Sequence, residues 1–256
     1  MINENMKTTL NPCPALKPFV DYWDDWHNEW HKNATKDPPV LIQIKGWNLP
    51  PDPIGQYFPE PYWGNPYTDN LVAVFLNINP GRGGDDQNIF HRPIADPIKT
   101  YLAQSKLFSR TVETLSANIC YPTTNWFYDN RVNWLEKLLL CMKITFPIKF
   151  LVGNILCADL VPWHTENVDT TVRNYIKTKT NQKLIIEYVI EPITEISQCA
   201  KFKGLVFAKG AEIEHLLADK DKMKCTNVLY EKGDNRLRVC DYKSTKIFVF
   251  SGGRGM

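Results

Sequence analysis

Apolar positions along the chain recur with two different periods, and the alternation between those periods outlines the architecture. Between Pro14 and Ala34, Phe19, Trp23, Trp26 and Trp30 follow one another at steps of four, three and four residues, which predicts a helix docking an aromatic stripe on the core. From Pro38 to Pro66 eight of 29 residues are proline, with Trp47, Tyr57, Phe58, Tyr62 and Trp63 among them. Proline lacks the amide hydrogen a helix needs, so this stretch is expected as an ordered wrap anchored by its rings. LVAVFLNI (71–78) reads as a buried strand. Asp96-Pro97 opens a helix to about Ala117, because aspartate caps and proline suits the first turn. A further helix is expected from about Asn125 to Met142, and a strand within 150–161. Helix follows over 169–199 with a break at Pro192, then a strand at GLVFA (204–208) and a short helix at 211–218. RLRVCDY (236–242) and KIFVFS (246–251) form a hairpin around Lys243, Ser244 and Thr245.

Strands separated by helices of a dozen residues or more imply parallel pairing. The fold class expected is α/β, a three-layer αβα sandwich with a central, mostly parallel sheet of about four strands. Residues 1–70 are read as the helix and wrap packed on an α/β domain spanning 71–256, in one compact unit. Ligands of such sheets sit beyond the carboxyl ends of the strands. That directs attention to NPGRGGDDQNIFHRP after the first strand, Asp159 to His164 after the second, Lys209-Gly210-Ala211-Glu212 after the third and SGGRGM after the last.

Composition narrows the function classes. With 256 residues and 43% of them hydrophobic, the chain can bury an ordinary core, which excludes disorder and small stapled scaffolds. Thirty basic residues against 28 acidic give a net charge of +2, so bulk electrostatics do not mark a nucleic-acid binder. Within Lys220 to Met256, however, nine basic residues face four acidic ones, a local +5 that leaves −3 for the rest. On charge alone, a solvated basic surface accounts for it. Seven cysteines without any C-x-x-C pair predict free thiols in a cytoplasmic protein, with neither a zinc nor an iron–sulfur site. His27 and His31 lie one turn apart in HNEWH, which is not the H-E-x-x-H order of a zinc helix, and are read as a polar face. No apolar leader core opens the chain and no run of 18 apolar residues occurs, so neither export by that route nor membrane spanning is expected. No metal and no cofactor are expected.

The first strand ends in Asn77-Ile78-Asn79-Pro80-Gly81, and Gly81, Gly83 and Gly84 let a backbone approach a bulky ligand. Arg82, His91 and Arg92 lie close enough in sequence to hold a phosphate. The loop matches neither the P-loop nor the dinucleotide fingerprint. Taken alone, an asparagine before proline is a turn residue.

This strand and loop, ending in Gln87-Asn88-Ile89-Phe90, resemble the first motif of the uracil-DNA glycosylase superfamily, in the style of its single-strand-selective and mismatch-specific branches. The resemblance implies that Asn79 positions the hydrolytic water and Phe90 stacks on a flipped base, with Asn77 standing where the family usually has glycine. Asn77, Ile78, Pro80, Gly81, Gln87, Phe90 and Asp159 would then line the base site. Cys157-Ala158-Asp159-Leu160-Val161-Pro162-Trp163 resembles the strand end where the single-strand-selective branch carries a base-reading asparagine, here Asp159. GLVFAKGAEI (204–213) is similar to the strand–glycine–helix segment, and KIFVFSGGRGM (246–256) falls where the family has its last strand and a His-Pro-Ser loop. The resemblance covers about 71–256. It implies DNA base excision, with Arg82, His91, Arg92, Lys209, Gly252 and Gly253 on the DNA side.

The residue types suit that chemistry. Hydrolysing an N-glycosidic bond needs a placed water and a stabilised leaving base, and the base must leave the stack at a cost of a few kcal/mol. Two departures matter. An ionised aspartate only accepts hydrogen bonds, so Asp159 would repel O4 of uracil unless protonated, and a base edge offering an amino group suits it better. The family's histidine is missing, with Ser251, Gly252 and Gly253 in its region and Arg254 the one charged candidate there. The expected function is a glycosylase-like hydrolase using Asn79, with Ser251 and Arg254 as further catalytic candidates. The alternative is a nucleic-acid or nucleotide-binding protein of weak or no activity on the same fold. The expected partner is DNA, single- or double-stranded, bound by a monomer in a salt-sensitive way.

Overall fold

The computed structural model describes residues 14–23, 25, 62–64, 66, 70–78, 131–147, 150–151, 154–161, 170–196, 204–209, 213, 216, 223–232, 235–242 and 245–251. Their strands are β1 (Tyr62–Gly64), β2 (Ala73–Asn77), β3 (Ile155–Asp159), β4 (Leu205–Lys209), β5 (Met223–Lys232), β6 (Asn235–Tyr242) and β7 (Thr245–Ser251). They form one seven-stranded sheet in the order β1-β3-β2-β4-β7-β6-β5. The four central strands β3, β2, β4 and β7 are parallel neighbours, while β1 on one flank and β6 and β5 on the other pair antiparallel. The chain is therefore α/β with the expected parallel centre, in a sheet wider than the expected four strands.

β2 and β3 are buried at every position, as an uninterrupted apolar run in the middle of a covered sheet must be. Val74, Leu76, Leu156, Ala158, Val206, Ile247 and Val249 face one apolar cluster. Ala73, Phe75, Ile155, Cys157 and Phe207 face the other. Helices lie in both clusters, which is compatible with an αβα sandwich. On the first face pack α1 (residues 17–23) through Phe19, Val20 and Trp23, α3 (Thr170–Lys177), α4 (Lys179–Ile185) and α5 (Glu191–Glu195). On the second packs α2 (Asn133–Cys141), with Leu135 and Leu139 one turn apart.

Three expectations are corrected. The helical break falls at Thr178, whose side chain caps α4 by accepting from the Asn181 amide, and not at Pro192. The π-helical turn Ile186–Ile190 runs directly into α5, so the wider turn before Pro192 accommodates a residue that lacks the ladder donor. Next, β5 and β1 were not expected as strands. Finally, Cys225 and Cys240 are bonded to each other and not free, because β5 and β6 pair them directly opposite in register. Cys141 and Cys157 are free thiols, but the cysteines as a set no longer argue for a reducing compartment. Among the described residues no helix is long and apolar enough to cross a membrane. The expected segments around Trp26, His27, Trp30 and His31, and the helix opened by Asp96-Pro97, lie outside the described residues.

Candidate functional site

The parallel centre fixes where a site can form. From β2 the chain passes to β3 on one side, then returns to β4 on the other, so the strand order reverses at β2. A crevice at the carboxyl ends is the usual consequence of such a reversal. Side chains on one face of a sheet share register, and Asn77 at the end of β2 pairs with Asp159 at the end of β3. On the other side of β2, Leu76 pairs with Ala208, so Lys209 comes one residue further along, and Lys209 pairs with Phe250 of β7. A carboxylate, an amide and a cation thus end three successive parallel strands, and an aromatic ring stands one residue before the end of the fourth.

Beneath that row lies an aromatic floor. Phe75 and Phe207 stack at 5.0 Å, and Trp134 of α2 meets both edge-on at 5.9 and 5.1 Å. Arg131 precedes Trp134 by three residues and Leu135 by four, so all three lie on the helical face turned to the sheet. Its guanidinium sits 5.3 Å from the centre of the Phe75 ring and donates from Nη2 to Asn77 Oδ1 at 2.6 Å. Arg131 is 2% exposed, Asp159 3% and Asn77 7%.

Electrostatics tie these groups together. Burial pushes the Arg131 guanidinium below its ordinary value, and attraction to Cys157 and Asp159 opposes that fall. Burial pushes the Cys157 thiol up to about 12, against the pull of Arg131. The Lys209 ammonium is lowered by burial and then by the positive charge of Arg131. A thiol held that high is no nucleophile near neutral pH, so the chemistry available is that of an amide, a carboxylate and two cations. Among the described residues no group of three or more His, Cys, Asp or Glu side chains is arranged to hold a metal ion.

Of the residues singled out in the sequence, Asn77 and Asp159 are brought together, with Lys209 on the same edge. Ser251 ends β7 directly after Phe250. Ile78 packs against the apolar cluster of the opposite face, and its carbonyl accepts from the Val161 amide at 3.1 Å. Asn79, Pro80, Gly81, Arg82, Gln87, Phe90, His91, Arg92, Gly252, Gly253 and Arg254 lie outside the described residues. Arg131 was missed altogether. The signal it left was weak: a basic residue within the expected helix, three residues before Trp134 and four before Leu135, and so on their apolar face. Comparison of the chain with protein-family models, with curated proteins and with solved structures gives no match.

Proposed function

We propose that the chain is a glycosylase-like hydrolase that cleaves the N-glycosidic bond of a base flipped out of DNA, on an αβα sandwich of the uracil-DNA glycosylase kind. The reading is carried by one observation: Asn77 and Asp159, the strand ends of the two motifs that resemble that superfamily, are partners in register on neighbouring parallel strands. They lie 82 positions apart in the chain, so nothing local demands the juxtaposition. In this reading Asn79, two residues beyond Asn77, places the water, while Asn77 and Asp159 face the base edge. DNA is held by the monomer through the basic segment from Lys220 onward, together with Lys209, Arg82 and Arg92.

The test is single-turnover release of bases from oligonucleotides carrying uracil, hypoxanthine or damaged bases, by wild type and Asn79→Ala. Loss of a well-placed water lowers the rate by about a hundredfold or more. Release that survives the substitution would remove the mechanism. A second reading, a nucleic-acid or nucleotide-binding protein without the reaction, draws on Ser251, Gly252 and Gly253 standing where the family has its histidine. Binding without release by wild type would favour it.

A further inference from the structure

Arg131 is the most deeply buried charged side chain among the described residues, and none of the motifs includes it. A guanidinium can only donate, so the group of Asn77 that faces it must be the amide oxygen, as the 2.6 Å contact has it. The Asn77 carboxamide also hydrogen-bonds the Cys157 sulfur. With its oxygen committed to Arg131, it does so through the amide nitrogen, and the one hydrogen-bonding capacity Asn77 has left for a ligand beyond the strand end is the second hydrogen of that nitrogen, a donor. A buried cation is costly without a counter-charge, and the attraction between Arg131 and Asp159 makes Asp159 such a counter-charge. Asp159 in that role is a carboxylate, an acceptor only. Donor and acceptor then stand side by side on β2 and β3, with their polarity set from behind.

We propose that Arg131 is a positioning residue that fixes this donor–acceptor pair, and that the site therefore selects bases whose pairing edge sets a ring-nitrogen acceptor beside an exocyclic amino group, the cytosine and adenine type. The inference rests on the reading of this edge as a base site. In such an edge the amino group donates to Asp159 and the ring nitrogen accepts from Asn77. In an imide edge, as in uracil, the single N–H is flanked by two carbonyls. A carboxylate receiving that N–H with one oxygen turns the other toward a carbonyl, and like partial charges meet.

The experiment uses the full chain and oligothymidylates with one central cytosine, adenine or uracil, read by fluorescence anisotropy for binding and by base release for reaction. Wild type is expected to bind the cytosine and adenine probes at least about tenfold more tightly than the uracil probe. Asp159→Asn should move that ratio at least about tenfold toward uracil. Arg131→Gln should bring the ratio close to one, and Arg131→Lys, which keeps the cation, should restore part of it. A merely structural arginine would change stability and leave the ratio alone. If the Arg131 variants do not fold by circular dichroism, Asp159→Asn decides alone. Equal binding of the three probes by wild type, or an unchanged ratio in Asp159→Asn, overturns the inference. Base release with an unmoved ratio leaves the reaction standing and removes the selectivity, whereas a moved ratio without release does the reverse. Binding to none of the probes overturns both.

Discussion

The ordinary value for a cysteine thiol is 9.0, and burial raises that of Cys157 to about 12. The folded protein thus holds a proton that the unfolded chain has released over most of that interval. A group whose folded value is raised contributes its stability in full below about pH 9 and loses it as the pH climbs toward 12. The urea midpoint should therefore fall more steeply between pH 9 and 11 in wild type than in Cys157→Ala, and parallel slopes would contradict the assignment. In the native protein at pH 8, iodoacetamide should modify exposed Cys141 and spare buried Cys157, as peptide mass mapping would report. The same few side chains show where a sequence stops being legible. Asp159 and Asn77 could be picked out because each ends an apolar strand. Arg131 could not, since its hydrogen-bond partner is 54 positions away and its burial depends on a helix docking over Phe75.

At the level of elements, the β5–β6 ribbon carries the plainest energetic consequence. Its disulfide closes a loop with a sequence separation of 15, and a cross-link over such a loop stabilises by about 3 kcal/mol. The Cys225→Ser/Cys240→Ser variant should lose that amount in urea denaturation, and hydrogen exchange should rise first over residues 223–242. A loss below about 0.5 kcal/mol would mean that the strands hold each other without the bond. At the end of α2, Lys143 has φ 59°, a left-handed conformation that costs a side-chain-bearing residue about 1 kcal/mol. Lys143→Gly should accordingly stabilise the protein by up to about 1 kcal/mol, less the backbone entropy glycine loses on folding. Its amide donates to Leu140 and that of Ile144 to Leu139, so the conformation closes the helix. Strands β2, β3, β4 and β7 were readable because unbroken apolar runs need no context. β5 was hidden for a physical reason: two register irregularities, at Cys225/Asn227 and Val228/Tyr230, disrupt its period of two. The dipeptide Gly233-Asp234 between the two runs was the overlooked hairpin signal.

For the molecule as a whole, the net charge of +2 conceals the +5 carried from Lys220 to Met256. If that segment holds DNA, log affinity should fall by about 0.9 per phosphate contact for each tenfold rise in salt. Titrations at several salt concentrations check this, and a slope near zero would refute the footprint. β6 and β7 lie in this segment and continue the same sheet whose other flank is β1, so the basic side and the amino-terminal side share one framework. Phe19, Trp23 and Tyr62 have no exposed surface and join one apolar cluster with Leu76, Ala158 and Val206. Tyr62 also sits opposite Ala158, so β1 occupies the outer edge of β3. A shortened gene starting at Leu71 would keep every motif and still make a poor protein. Its product would bare the backbone of β3 and a greasy socket left by three rings, and bare strand edges recruit one another. Such a fragment should elute from a sizing column as aggregate where the full chain does not, which makes α1 and β1 a built-in guard against self-association.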